Sequence, residues 1–140
     1  MPQFGRPSAD TVRTGWTDEA AGTVDIYTGI DEATAEDVEY IKTPTPPGSN
    51  EFESLLTTLT DPVSSTGHTM RWRRRKQPAA GSADINLTVR LMQAAVQKVS
   101  RADNTLPGSF TDTSYTLSAG EADSITDYAD LRLEFVAAQV

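Results

Sequence analysis

Two stretches of strict apolar–polar alternation constrain this chain more than any other feature. Ile85, Leu87, Val89 and Leu91 alternate with Asn86, Thr88 and Arg90, and Leu131, Leu133 and Phe135 alternate with Arg132 and Glu134. A period of two places successive side chains on opposite sides of an extended backbone, so each stretch predicts a strand with one face turned into a core. Neither pattern suits a helix, whose apolar stripe recurs every three or four residues.

Shorter signals of the same kind fill the rest of the chain. Val24, Ile26 and Thr28 alternate with polar neighbours and predict a strand. Tyr40-Ile41 resumes an extended run that Thr43-Pro44-Thr45-Pro46-Pro47-Gly48 stops, because proline cannot donate to a ladder. Between them, Asp31–Glu39 reads as a helical turn or loop, with Thr34 and Asp37 at capping-box spacing. Phe52–Leu59 is a second apolar run, ended by Asp61-Pro62 and Ser64-Ser65-Thr66-Gly67. In Thr69–Arg75, Met70 and Trp72 face one way while Arg71 and Arg73 face the other, and Pro78-Ala79-Ala80-Gly81-Ser82 forms the next loop. Tyr115 and Leu117 mark another short strand, leading to Ser118-Ala119-Gly120-Glu121, a capping box that opens one helical turn.

Leu91–Val99 admits two readings. Met92, Val96 and Val99 fit helical spacing, whereas a turn at Gln93-Ala94 followed by a returning strand fits the neighbouring pattern. The strand pair is favoured. Some seven strands at roughly 10–15-residue intervals, divided by Pro/Gly/Ser turns and without βα alternation, predict an antiparallel all-β sandwich or barrel. The 140 residues suffice for one such domain, placed at residues 21–140. Residues 1–20 lack any period and read as an extended N-terminal arm, with Phe4, Val12 and Trp16 as its anchors.

Composition narrows the chemistry. There is no cysteine and one histidine, which excludes disulfides, thiolate catalysis and multi-histidine metal sites. His68 lies in a turn, no Gly-x-Ser-x-Gly elbow surrounds a serine, and no glycine-rich phosphate loop occurs. Asp31, Glu32, Glu36, Asp37 and Glu39 are dense enough to suggest paired-carboxylate hydrolysis or a calcium site, but their spacing matches no EF-hand and suits a solvated loop. The expectation is therefore a non-enzyme that needs no cofactor. No apolar run approaches the roughly 18–20 residues of a membrane span, and no basic-then-apolar leader opens the chain, so it reads as soluble and without a cleavable signal.

The net charge is −8, which disfavours general binding to nucleic acid or anionic membranes. Yet five of the twelve basic residues fall in the hexamer Arg71-Trp72-Arg73-Arg74-Arg75-Lys76. This cluster can clamp and stack on nucleic acid, guard a sheet edge, or present planar forks to carboxylates of a neighbouring protein. Trp72 is in phase with Met70 and belongs to the core, which counts against the first reading; the third is preferred, with Arg71, Arg73 and Arg75 as the contacts.

Several stretches in order resemble a family of small virion structural proteins from tailed bacteriophages. They are Gly15-Trp16-Thr17, Ile30-Asp31-Glu32, Asp37–Ile41, Asp61–His68, Arg71-Trp72-Arg73, Asn86–Gln93 and Glu121–Leu133. The resemblance covers most of the chain, and its specificity lies in the succession of plain strand and turn words. It implies a jelly-roll-like β-sandwich, akin in architecture to carbohydrate-binding modules. It also implies a multi-copy place in the virion: a capsid decoration or cement protein, or a fibre base. The implied partners are the major capsid protein or other virion proteins, together with further copies of the chain. The alternative is a carbohydrate-binding or host-adhesion module using Tyr27, Tyr40 or Tyr128. Where the family has a glycine turn after its central strand, this chain has Ala94-Ala95.

Overall fold

The computed structural model describes residues 2–34, 36–77 and 84–140. The predicted loop at 78–82 lies outside them. The fold is an antiparallel β-sandwich. Its strands are β1 (Pro7–Arg13), β2 (Thr17–Asp18), β3 (Ile41–Lys42), β4 (Gly48–Leu56), β5 (Thr69–Arg74), β6 (Ile85–Gln93), β7 (Val96–Asp103), β8 (Thr111–Thr116) and β9 (Leu131–Gln139). A 3-10 turn spans Ile26–Gly29 and a short helix, α1, spans Ala119–Asp123.

One sheet has five strands in the order β1-β4-β9-β6-β7; β5 pairs with β8, and β2 with β3. The pairs β4–β9, β5–β8 and β6–β7 are nested in sequence, as if one long hairpin had been rolled up so that β9 also meets β6. That winding is jelly-roll-like, in a reduced form of three pairs. The β6–β7 hairpin settles the ambiguity of Leu91–Val99 in favour of a turn at Ala94-Ala95.

Register explains the core. Phe52, Phe135 and Val89 share one rung, and Ser54, Leu133, Leu91 and Val99 the next, all on the inner face of the large sheet. Phe52, Val89 and Ser54 are fully buried; the serine satisfies its hydroxyl by donating to the carbonyls of Ala9 and Leu55. Over the β6–β7 half lies the β5–β8 pair, bringing Met70, Trp72 and Tyr115 inward. Asp103 of β7 ties the layers by accepting from Trp72 Nε1 and Arg74. Over the β4–β9 half lies Trp16, whose ring centroid is 6.2 Å from Phe52 and 6.4 Å from Phe135. The capping box forms as expected: Ser118 Oγ accepts from Glu121 N–H, and Glu121 accepts from Ser118 N–H.

Three expectations are corrected, and one alternative is decided. Ile26 belongs to a 3-10 turn and not a strand, because the Asp10 carboxylate accepts the N–H groups of Ile26 and Tyr27, each at 2.9 Å, and holds them in a turn. Of the two readings of 31–39, helical turn or loop, the described residues form the loop, and the Asp37 carboxylate turns to Arg73 instead of a cap. Residues 7–13 are no free arm: they form an edge strand paired with β4, so a boundary at residue 20 falls inside the sandwich. The residues before them are also docked, Gln3 exchanging two hydrogen bonds with the backbone of Thr60. Lastly, Trp16 is a core residue, with only 7% of its surface exposed, and no anchor on a separate arm.

Candidate protein-contact site

The basic hexamer runs along β5 and just beyond it, and alternation divides its residues between two environments. Trp72 and Arg74 face the core side, where Arg74 clamps Asp103. Arg71, Arg73 and Arg75 emerge on the other side. Antiparallel register sets Arg73 directly opposite Asp112 of β8 and Arg71 opposite Ser114.

Arg73 is fixed on both flanks. Its Nε and Nη2 donate to the two oxygens of Asp37 at 2.8 and 3.0 Å, and Nη1 donates to Asp112 at 3.0 Å. A planar fork matched to a carboxylate in this way is held in orientation as well as in place. The Arg73 fork lowers the pKa of the Asp37 carboxyl below its ordinary value, and Asp37, then Asp112, raise that of the guanidinium. Next to it, the Arg75 guanidinium lies 4.5 Å from the centroid of Phe110 and 5.6 Å from that of Tyr40. Those two rings are themselves 5.8 Å apart and tilted. The outcome is a half-buried, pre-ordered cluster of stacked guanidinium and aromatic groups at the surface, bounded by Asp37 and Asp112, whose side chains are 54% and 74% exposed.

Of the six residues singled out from sequence, this cluster contains Arg73 and Arg75. Arg71 stands beside them on the same sheet face, exposed and with no ion pair among the described residues. Phe4 is 60% exposed on the N-terminal segment, near Arg6. Val12 is half-buried on β1, and Trp16 is internal. Phe110, Asp112 and Asp37 were missed as members. An antiparallel pairing of Thr69–Arg74 with a strand ending at Thr116 sets Asp112 against Arg73, so this one was within reach of the sequence; the long loop that delivers Asp37 was not.

The tyrosines named for a sugar site are committed elsewhere. Tyr40 has its ring engaged with Phe110 and Arg75, Tyr27 packs on the core, and Tyr128 bonds to His68. His68 Nε2 lies 2.7 Å from the Tyr128 hydroxyl, so this nitrogen meets a phenol and no serine. An open cleft of about 310 Å³ beside Tyr128 is lined by Asp61, Ser64, Ser65 and Asp123 among others. Among the described residues, no three His, Asp or Glu side chains come together in a way that could hold a metal ion, and no helix is long and apolar enough to cross a membrane.

Comparison with known proteins gives no match: no family model, no curated protein and no solved structure is similar to this chain.

Proposed function

We propose that the chain is a structural protein of a tailed-bacteriophage virion, a capsid decoration protein that binds the major capsid protein and stabilises the head through protein–protein contact. The observation that carries the contact role is the Arg75–Phe110 stack beside the doubly anchored Arg73. Arginine and aromatic side chains dominate the energetic centres of protein interfaces, and groups already ordered lose little freedom on binding. The virion assignment draws on the sequence resemblance. Weak individual contacts, repeated over many copies, sum to a large stabilisation of a shell.

The nucleic-acid reading of the hexamer is disfavoured by the same geometry. Arg73 and Arg74 already hold carboxylates and Arg75 is stacked on rings, so few cations are left to displace counterions from phosphates.

Two measurements test the proposal. Mass spectrometry of purified particles of the encoding phage should find this chain in many copies, and its absence would remove the virion role. In co-sedimentation with undecorated heads, Phe110→Ala and Arg75→Ala should each weaken binding at least about tenfold while leaving the fold intact. Wild-type binding by both variants would exclude this cluster as the contact.

A further inference from the structure

Among the described residues the sandwich has four long strand edges, and three of them carry a device that blocks pairing with another chain. Strand β1 begins with Pro7 and is bulged twice against β4. Strand β7 is bulged at Lys98, where its register against β6 slips. Strand β5 presents the exposed Arg71, which has no ion pair among the described residues. Proline, bulges and outward charge are the means by which sheet edges avoid templating a new strand. Strand β8 has neither proline nor bulge, and its one outward charge is already paired. Its ladder with β5 runs unbroken from Thr111 to Thr116, and its single charged residue, Asp112, is held by Arg73.

Hydrogen-bond parity shows which groups are free. Leu117 N–H donates to His68 O at 2.9 Å, so 68–117 is a bonded pair, and alternation makes 70–115, 72–113 and 74–111 bonded pairs as well. The N–H and C=O groups of Asp112, Ser114 and Thr116 therefore point away from β5, to an edge where no further strand pairs among the described residues. All three residues are exposed.

We infer that this edge binds a second copy of the chain, β8 against β8 in antiparallel fashion about a two-fold axis at Ser114. An antiparallel strand pair is self-complementary, so a symmetric dimer needs no second surface. Centring at Ser114 pairs Asp112 with Thr116 of the other copy and Ser114 with its equivalent. A carboxylate then faces a hydroxyl, and no like charges oppose. It also uses all three outward residues at once, and the two-stranded sheet becomes four-stranded. This deepens the assembly reading by adding self-association, and it is measured separately: particle binding reads the role, sedimentation reads the edge.

The test uses proline at an outward position. Ser114→Pro removes an N–H that makes no bond to β5, so the ladder within one copy survives. Thr116→Lys places a cation on the same edge and serves as the second variant. In sedimentation velocity from about 5 to about 500 µM, the wild-type chain should shift from monomer to dimer with concentration. Both variants should dimerise at least about tenfold more weakly. Amide exchange at Asp112, Ser114 and Thr116 should slow with concentration in the wild type alone. A wild-type chain that stays monomeric throughout, or dimerisation unchanged by Thr116→Lys, would overturn the inference.

Discussion

Glu53 of β4 and Glu134 of β9 face each other directly across the outer side of the large sheet, and both are almost wholly buried, at 6% and 5% exposure. Like charges in opposed positions destabilise a ladder, and here each is neutralised by an arginine. Arg90, on the same rung, donates to Glu134 at 2.6 Å, and Arg132 donates to Glu53 at 3.2 Å, with the Thr11 hydroxyl adding a 2.6 Å bond. Removing one partner leaves a buried charge uncompensated. Arg90→Met should therefore destabilise the fold by about 2–4 kcal/mol, at the lower side of what a buried pair commands because Arg90 itself keeps contact with water. Adding Glu134→Leu should restore most of the loss. Urea unfolding of the single and double variants checks this, and a neutral Arg90→Met would show that the pair adds nothing.

A third carboxylate, Glu51, lies two residues before Glu53 on β4. Burial first, then the negative charges of Glu134 and Glu53, raise the pKa of Glu51 above its ordinary value of 4.5. A folded-state pKa above the unfolded one means the fold holds its proton longer, so ionisation penalises the fold as pH rises through and beyond 4.5. Glu121 is the converse: the Ser118 N–H, then the Tyr115 hydroxyl, lower its pKa, giving stability that is present above 4.5 and lost as pH falls through the lowered value. Glu51→Gln should thus be more stable than wild type at pH 7, the gain shrinking as pH approaches 4.5. Glu121→Gln should be less stable at pH 7, with its deficit closing in acid. Thermal unfolding between pH 3 and pH 8 separates the two signs.

What could be read from the sequence was whatever one strand decides for itself. Ile85–Leu91 turns inward because its own period requires it, and Ser118 with Glu121 makes a cap because the two lie three residues apart. What could not be read depends on where distant residues land. Val24-Ile26-Thr28 alternates like a strand, and only the arrival of the Asp10 carboxylate makes it a turn. Trp16 looked like an arm anchor because its partners, Phe52 and Phe135, are far along the chain. In the candidate site, the arginines were visible as a cluster, but their restraint by Asp37 and their stacking on Phe110 were not.

The β6–β7 turn holds a local conflict. Ala94 has φ of +48°, in the left-handed region where a side chain is disfavoured and where tight hairpins take glycine. The hairpin nonetheless forms, anchored by the Ala94 N–H donating to Asp130 O at 3.1 Å and by Gln93 Oε1 accepting from Thr126 N–H at 2.9 Å. Ala94→Gly should relieve the strain, partly offset because glycine gives the unfolded chain more entropy to lose on folding, for a net gain of about 0.5–1 kcal/mol and a rise in Tm of about 2–4 °C. Calorimetry would detect it, and a lower Tm would mean that the turn tolerates alanine without strain.

The N-terminal region makes a distinction that truncation would blur. Deleting residues 1–20 removes β1, the Asp10 carboxylate that fixes the 3-10 turn, and Trp16, so loss of any binding would report unfolding and not a missing contact. Single substitutions separate the two. Trp16→Ala opens a cavity between Phe52 and Phe135 and should cost about 3–5 kcal/mol, with loss of near-ultraviolet dichroism. Phe4→Ala changes a side chain that is 60% exposed and should alter stability by no more than about 0.5 kcal/mol. If Phe4→Ala weakens binding to heads while its unfolding curve overlays the wild type, the segment before β1 is a contact. If binding is unchanged as well, Phe4 is no contact, and the cluster around Arg75 and Phe110 remains the candidate surface.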